Sequence, residues 1–192
     1  TPRYFWPIES KCLRSFKNKN KSHAVSHGTS VAMYCFEGGE IGNMSQNTLK
    51  QKTVLKGIGL HSGQKVRCTI HPASENHGIV FVRSDLRALP KIRADISRVT
   101  RTEMSTTLGQ NGIEVSTVEH LMAALSGMGI DNAVVEIDGA ELPILDGSSE
   151  EFVAAIEDAG IKSQRASRKI LKLRKKIAIQ YGDRWVIGKP DL

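Results

Sequence analysis

The architecture of this chain follows from the stretch Ser116-Thr117-Val118-Glu119-His120-Leu121-Met122-Ala123-Ala124-Leu125. Its apolar residues recur at intervals of three and four positions, the spacing of one buried stripe, and so predict a helix over 117–128. Ser116 and Glu119 have the spacing of a capping box, in which a hydroxyl and an acid satisfy the first amides of a helix. A second helix is expected over about 149–159, with a buried side formed by Phe152, Val153 and Ile156.

Strands with alternating apolar residues surround these helices and are expected at 51–56, 65–70, 78–83 and 132–138. The strands over 65–70 and 78–83 are joined by a polar loop, and we expect them to pair as antiparallel neighbours. After the first strand, Gly57, Gly59 and Gly63 permit a close approach of the backbone to another group. The order of elements predicts an α+β fold, a two-layer sandwich of a mostly antiparallel sheet on two helices.

The composition is that of a folded domain rather than a membrane protein or a disulfide-rich scaffold. Of the 192 residues, 40% are apolar and 24% are charged. Polar residues interrupt every apolar run well before the roughly 18 residues that a membrane-spanning helix needs. The cysteines at 12, 35 and 68 contain no C-x-x-C pair, so they predict neither a zinc ribbon nor a disulfide framework.

Most of the net charge of +7 belongs to the N-terminal segment. Residues 1–30 hold six basic residues and one acid, so the rest of the chain is nearly balanced. Segment 1–47 is basic, rich in serine and poor in acids, which is typical of an organellar presequence, with a mitochondrion as the destination and a plastid as the alternative. A disordered basic tail is the other interpretation. No nucleic-acid partner is expected, because the charge comes without aromatic interleaving or a known binding motif.

The chain ends with a small unit over 168–192, after a main domain over 48–167. Strands are expected over 177–181 and 184–187, joined by a turn at Gly182-Asp183. Basic residues between 162 and 176 are expected to keep this ending soluble and are interpreted as a solvated linker, with attraction to an anionic lipid surface or to a UDP-sugar as the alternative. The alternating apolar residues of the hairpin suggest association through its exposed surface.

Glu119 and His120 carry the most informative chemistry in the sequence. On the predicted helix, Glu119 lies to one side of the buried stripe and His120 nearly opposite to it. One interpretation is structural, with Glu119 as the capping acid and His120 as a surface histidine. The other is a metal-binding histidine beside a carboxylate that acts as general base. These two residues alone leave both interpretations open.

Four motifs in order resemble the UDP-3-O-acyl-N-acetylglucosamine deacetylase family of lipid A biosynthesis. They are the stretches 57–63 (GIGLHSG), 116–125 (STVEHLMAAL), 129–132 (GIDN) and 141–148 (ELPILDGS), and the likeness covers about residues 50–189. The resemblance implies a zinc-dependent amide hydrolase that removes the acetyl group from an acylated UDP-N-acetylglucosamine. It also implies a fold of two similar α+β domains with the active site between them.

By this resemblance, His120 is a Zn²⁺ ligand, and Glu119 is the catalytic base that takes a proton from the metal-bound water. His61 and the pair Met104 and Ser105 match segments near the metal and the substrate. An ordinary loop histidine remains open for His61, and a core position remains open for Met104. Asp146 matches a family motif but is interpreted as a turn and cap residue.

The rest of the family's zinc site has no match in this chain. The family takes its second histidine and an aspartate from a His-Lys-x-x-x-Asp stretch in its second domain, and none of the six histidines here follows His120. A catalytic zinc ion needs three protein ligands. We therefore expect the chain to hold the first domain and the opening hairpin of a truncated second domain, and to be inactive alone. The alternative is a non-catalytic interaction or regulatory protein that retains the first-domain fold.

Overall fold

The computed structural model describes residues 44–169 and 173–190. Most of the expected targeting segment therefore lies outside the described residues, as do residues 170–172 and 191–192. The described chain divides into two units, Ser45–Ser167 and the residues from Arg168 onwards, and each is described by itself. Among the described residues, no helix has both the length and the apolar character to span a membrane.

The first unit contains ten strands and two helices, which confirms the predicted α+β class. A single 3₁₀ turn, Ile96–Arg98, precedes the sixth strand. In chain order the elements are β1 Ser45–Leu49, β2 Thr53–Ile58, β3 Lys65–Pro72, β4 Ile79–Arg83, β5 Lys91–Arg93, β6 Val99–Arg101, β7 Thr107–Gln110, β8 Ile113–Val115, α1 Glu119–Gly127, β9 Ala133–Ile137, α2 Glu150–Ala159 and β10 Ile161–Ser167.

The main sheet has five strands in the order β2-β3-β9-β4-β5. Only the β4–β9 pair is parallel, so the sheet is mostly antiparallel, as predicted. The predicted pairing of β3 with β4 is wrong, because β9 lies between them, antiparallel to β3 and parallel to β4. Strands β6, β7 and β8 form a separate sheet, and β1 pairs with β10 in a third. Strand β1 also begins before Thr48, where the first domain was expected to start.

The core lies between one face of the five-stranded sheet and the two helices. Alternate residues of the strands point into it, which is why the strands read with a period of two. Helix α1 contributes Leu121 and Leu125, and α2 contributes Phe152 and Ile156, all nearly inaccessible to solvent. Burial of each such side chain contributes roughly 1.5 to 3 kcal/mol. The stripes predicted from the sequence are therefore the faces that hold the helices on the sheet.

A buried polar network fixes β1 and β10 to the rest of the unit, with Asn132 at its centre. The Asn132 amide group donates to the side chains of Gln46 (2.9 Å) and Gln164 (2.7 Å), and its oxygen accepts from the amide of Gly78 (2.8 Å). Thr48 Oγ1 donates to the Asn132 carbonyl (2.7 Å). Because buried polar groups are stable only when paired, this network accounts structurally for the asparagine of the motif at 129–132.

The second unit contains the predicted hairpin. Strands β11 Ile177–Tyr181 and β12 Arg184–Gly188 pair in antiparallel register, with Tyr181 opposite Arg184 across the Gly182-Asp183 turn. Gly182 has φ +59°, a conformation that glycine adopts without strain. Tyr181, Trp185 and Val186 are all more than half exposed. The hairpin therefore presents apolar surface to solvent.

Candidate active site

Helix α1 begins at Glu119, and its first turn is not a capping box. Val118 is the N-cap residue, in a helical conformation and without a side-chain cap hydrogen bond, so the predicted role of Ser116 is wrong. The Glu119 carboxylate instead reaches across to the segment before β7, where Oε2 accepts from the amide of Thr106 (3.0 Å). The amide of Val118 donates back to the Thr106 carbonyl (3.3 Å). Two hydrogen bonds to one distant residue therefore set the position of Glu119.

His120 is half-buried, on the first turn of α1. Its carbonyl accepts a hydrogen bond from Ser149 Oγ (2.9 Å), which joins the start of α1 to the start of α2. The next residue, Leu121, is completely buried and directs the helix face into the core. The side chain of His120 thus keeps solvent access while its backbone is fixed. This position suits a ligand or a surface histidine and differs from that of a core histidine.

Asp146 is a turn residue before α2, as predicted. Its carboxylate accepts from the amide (2.9 Å) and the hydroxyl (2.8 Å) of Ser148, and Ser148 Oγ in turn accepts from the amide of Glu150 (3.0 Å). The amide and hydroxyl of Ser148 hold the pKa of Asp146 below its usual value, and the nearby charge of His120 contributes to the shift. The Asp146 carboxylate is therefore held in the turn that precedes α2.

His61 lies on the exposed loop after β2, and its backbone is anchored to Glu141. The amide of His61 donates to Glu141 Oε1 (2.9 Å), and the amide of Ser62 donates to Oε2 (2.8 Å). The same Oε1 accepts from Thr117 Oγ1 (3.0 Å), two residues before Glu119. One carboxylate therefore links the His61 loop to the residues that precede α1.

Met104 and Ser105 are in the turn that leads to Thr106, the hydrogen-bond partner of Glu119. Met104 is 89% exposed and has φ +62°, which excludes the core position that the sequence left open for it. Ser105 is buried beside it. A non-glycine residue with positive φ is uncommon, and it costs energy that the surrounding structure must supply. The turn therefore holds a large apolar side chain in solvent close to the start of α1.

The structure thus brings the sequence-predicted residues toward one place. Glu119 and His120 form the start of α1, the Met104-Ser105 turn meets it through Thr106, and the His61 loop meets it through Glu141 and Thr117. Two open depressions of about 420 and 410 Å³ lie elsewhere on this unit, and neither is lined by Glu119 or His120.

Two residues of this arrangement were missed by the sequence analysis. Glu141 opens the motif at 141–148, but nothing in its sequence context indicates that it accepts hydrogen bonds from two other segments. Thr117 has φ +57°, which is a strained conformation for a β-branched residue. The one available signal was Gly59, because a glycine in such a loop indicates that another group comes very close. Two groups come close to Gly59, the hydroxyl of Ser62 and the Glu141 carboxylate.

The described residues do not complete a metal site. Within residues 44–169 and 173–190, no group of three or more histidine, cysteine, aspartate or glutamate side chains is arranged to hold a metal ion. His120 can supply one nitrogen ligand, and the carboxylates nearby are oxygen donors. A catalytic zinc ion requires three protein ligands, so the described residues alone do not fit this metal.

Residues 46–192 match the family described as UDP-3-O-acyl N-acetylglycosamine deacetylase (LpxC). Curated relatives with the name UDP-3-O-acyl-N-acetylglucosamine deacetylase include proteins from Myxococcus xanthus and a Psychrobacter species. The first is 50% identical over 140 residues, which cover 73% of this chain and 45% of the relative. The second is 46% identical over 147 residues, which cover 77% of this chain and 50% of the relative. A relative from Haemophilus influenzae is 43% identical over 148 residues.

The chain spans about half the length of the curated relatives that it matches. The similarity includes all four motifs and both units of the described structure.

Proposed function

Because the chain belongs to the UDP-3-O-acyl N-acetylglycosamine deacetylase family, we propose that it forms the Glu119–His120 side of a deacetylase active site. The substrate class is an acylated UDP-N-acetylglucosamine, and the reaction is hydrolysis of its N-acetyl amide. The observation that supports this assignment best is the start of α1, where a fixed carboxylate and a solvent-accessible histidine are consecutive residues on one rigid helix.

Glu119 acts as the general base in this proposal. A base must be held in position and must keep a lone pair for the proton that it takes. The amide of Thr106 holds Glu119 Oε2, and a carboxylate has further lone pairs on both oxygens. Glu119 is also only half-buried, so a water molecule can reach it. The Thr106 amide is not acidic enough to give its proton to Glu119. The Glu119 carboxylate therefore stays free to accept a proton from water.

His120 contributes one ligand to the Zn²⁺ ion that the family resemblance implies. When bound, this metal supplies a polarised water and stabilises negative charge on the amide oxygen. His120 would supply a ring nitrogen, and its backbone is fixed by Ser149. The described residues do not supply the other two ligands. For this reason we propose that the chain by itself has little or no deacetylase activity.

Two measurements on the purified chain test this proposal. First, the chain with added Zn²⁺ is assayed on acylated UDP-N-acetylglucosamine beside a full-length bacterial relative, and turnover close to that of the relative would contradict the proposed inactivity. Second, NMR of the histidine rings follows a Zn²⁺ titration. The His120 ring should shift, and the shift should be lost in His120→Ala. His71→Ala is the matched control, because His71 is a half-buried histidine that pairs with Glu136 on the main sheet.

A non-catalytic interaction protein is the second candidate, and the hairpin β11–β12 favours it. Tyr181 is 72% exposed and Trp185 is 65% exposed. Paired strands with large apolar side chains in solvent tend to associate with other chains. Size-exclusion chromatography of the chain, alone and mixed with a full-length relative, tests this candidate. A complex that disappears in Trp185→Ser supports association through the hairpin, and a monomer at all concentrations argues against it.

The basic N-terminal segment directs the chain to a mitochondrion in this proposal, with a plastid as the alternative. The support is compositional, since segment 1–30 has six basic residues, one acid and several serines. Import of the radiolabelled chain into isolated mitochondria and plastids, followed by protease treatment, distinguishes the two destinations. A chain that stays protease-sensitive with both organelles contradicts the targeting proposal.

A further inference from the structure

We infer that the buried carboxylate of Glu141 is a positioning residue for Glu119 and His120, and that it acts through Thr117. The inference deepens the proposed function and rests on it for the roles of Glu119 and His120. Glu141 is not a neighbour of either residue in sequence. Its connection to them consists of two hydrogen-bonded steps, each of which the structure defines.

The first step is the Glu141 carboxylate itself, which is 5% exposed and hydrogen-bonded by three groups. The amides of His61 and Ser62 donate to its two oxygens, one each, and Thr117 Oγ1 donates to Oε1 (3.0 Å). Hydrogen bonds to an ionised acceptor are about twice as strong as neutral ones. Three such bonds from two different segments hold the carboxylate in one position.

The backbone of Gly59 leaves space for this carboxylate. A Cβ atom at position 59 would lie 2.5 Å from Glu141 Oε2 and 2.9 Å from Glu141 Cδ, closer than carbon and oxygen atoms can approach. Gly59 does not have a positive φ. Glycine is needed at this position because a side chain would not fit, and not because of a special backbone conformation. The loop is therefore built around Glu141.

The second step is Thr117, whose backbone is strained. Its φ of +57° places a β-branched residue in the left-handed region, an unfavourable conformation that the surrounding structure must hold in place. Thr117 is 3% exposed, and its hydroxyl bonds to Glu141. The preceding residue, Ser116, is held by two backbone bonds: its amide donates to the Ala140 carbonyl (2.9 Å), and its carbonyl accepts from the amide of Leu142 (3.1 Å). The hydroxyl bond and this short bridge offset the strain.

The direction of Glu119 depends on that conformation. Thr117 is followed by Val118, which bonds to the Thr106 carbonyl, and by Glu119, which bonds to the Thr106 amide. If Thr117 relaxes to negative φ, the chain after it turns in another direction and both bonds to Thr106 are lost. Thr106 is thus a reporter of the position of Glu119.

The charge state of Glu141 is consistent with this role. Burial opposes its ionisation, but the amides of His61 and Ser62 and the hydroxyls of Ser62 and Thr117 outweigh burial and lower its pKa. Glu141 therefore stays an acceptor under ordinary conditions. Glutamine would keep one oxygen for the two donors of Oε1, the His61 amide and the Thr117 hydroxyl, and would lose only the bond from Ser62, whereas alanine removes all three hydrogen bonds.

Amide hydrogen exchange of the full chain, measured by NMR, tests the inference with the Glu141→Ala variant, which removes the acceptors of all three hydrogen bonds. If Glu141 positions Glu119, exchange accelerates at least tenfold at His61, Ser62 and also Thr106, and the Zn²⁺-induced shift of the His120 ring is altered. Acceleration at His61 and Ser62 alone, with Thr106 unchanged, would mean that Glu141 only anchors the loop, and the inference would be wrong. Glu136→Ala is the control, because Glu136 is a half-exposed acid on the main sheet.

The Thr117→Val variant keeps the test decisive if Glu141→Ala does not fold. Valine has the same branched shape without the hydroxyl, so it removes only the bond to Glu141. We expect faster exchange at Thr106 and little change at Ser62, and wild-type protection of Thr106 would overturn the inference. If the wild-type His120 ring shows no response to Zn²⁺ while Thr106 responds to both substitutions, the metal role of His120 fails and the positioning by Glu141 stands.

Discussion

Substitution of Gly59 by alanine should destabilise the first unit strongly, although the glycine has an ordinary backbone conformation. The new methyl group would meet Glu141 Oε2 at 2.5 Å and would also meet Ser62 Oγ. Ser62 can rotate away, but Glu141 is held by His61, Ser62 and Thr117. Either the loop moves outward or the carboxylate moves, and at least one of these hydrogen bonds breaks.

The expected cost has two parts. Overpacking of a buried site typically costs about 1 to 3 kcal/mol. Loss of one hydrogen bond to a buried charged acceptor costs about 1.5 to 3 kcal/mol. Together these predict a decrease of roughly 2.5 to 6 kcal/mol in the free energy of unfolding, which is a large share of the stability of a typical domain, about 5 to 15 kcal/mol.

Urea denaturation followed by circular dichroism at the helical wavelength measures this change, because both helices belong to the first unit. Gly127→Ala is the matched control. It is at the end of α1, has nothing within 4 Å of the added Cβ atom, and should be neutral or stabilising by up to about 1 kcal/mol. A Gly59→Ala variant within about 0.5 kcal/mol of the wild type would refute the reasoning.

A double-mutant cycle identifies the partner. In a Glu141→Ala background the carboxylate is absent, so the added methyl group has only Ser62 Oγ to displace. The cost of Gly59→Ala should then fall to a small part of its value in the wild type. If both backgrounds give the same cost, the methyl group acts elsewhere and Glu141 is not the group that requires glycine.

Three further predictions concern stability and reactivity. The lowered pKa of Glu141 means that its contribution to stability is present above the usual value of 4.5 and is lost as pH falls through the folded pKa, so acid unfolding curves should be shallower in Glu141→Gln. Burial and the charge of Asp138 raise the pKa of Cys68 to about 12, so in a chain without Cys12 and Cys35 a disulfide reagent should label it only after denaturation. Phe81→Ala should lower the free energy of unfolding by about 3 to 5 kcal/mol, measured in urea, because Phe81 is completely buried.

Periodicity predicted the elements well, and the core lies where it indicated. Val118, Leu121 and Leu125 are buried, and Met122 packs against them, because a helical stripe is fixed by local geometry alone. Local periodicity does not predict the order of the strands in the sheet. Residues 65–70 and 78–83 are close in sequence, yet β9 pairs with both of them from a position fifty or so residues later. Closeness in sequence favours a hairpin between β3 and β4. The insertion of β9 between them depends on the packing of the whole sheet, which the local pattern does not contain.

The start of α1 shows why the local sequence pattern predicts the wrong hydrogen-bond partner for Glu119. Ser116 and Glu119 have the spacing of a capping box, but Thr117 has positive φ and the chain between them does not follow the path that a capping box needs. The acid therefore finds its amide on Thr106. This outcome depends on Glu141, which stands far from Thr117 in sequence and close to it in the fold. A motif that matches a local rule can be used for a tertiary contact instead.

The contacts of the described residues separate the motif residues that hold the fold from those that remain for chemistry. Gly59 and Glu141 have complete structural explanations in the loop anchor, and Asn132 has one in the buried network. The rings of His61 and His120 form no hydrogen bond with the described part of the chain, and both residues keep solvent access. Internal packing explains Gly59, Glu141 and Asn132. Binding or catalysis is expected instead at His61 and His120, whose backbones are fixed and whose side chains are accessible. The strain at Thr117 points the same way, because a protein stores such strain only where position matters more than stability.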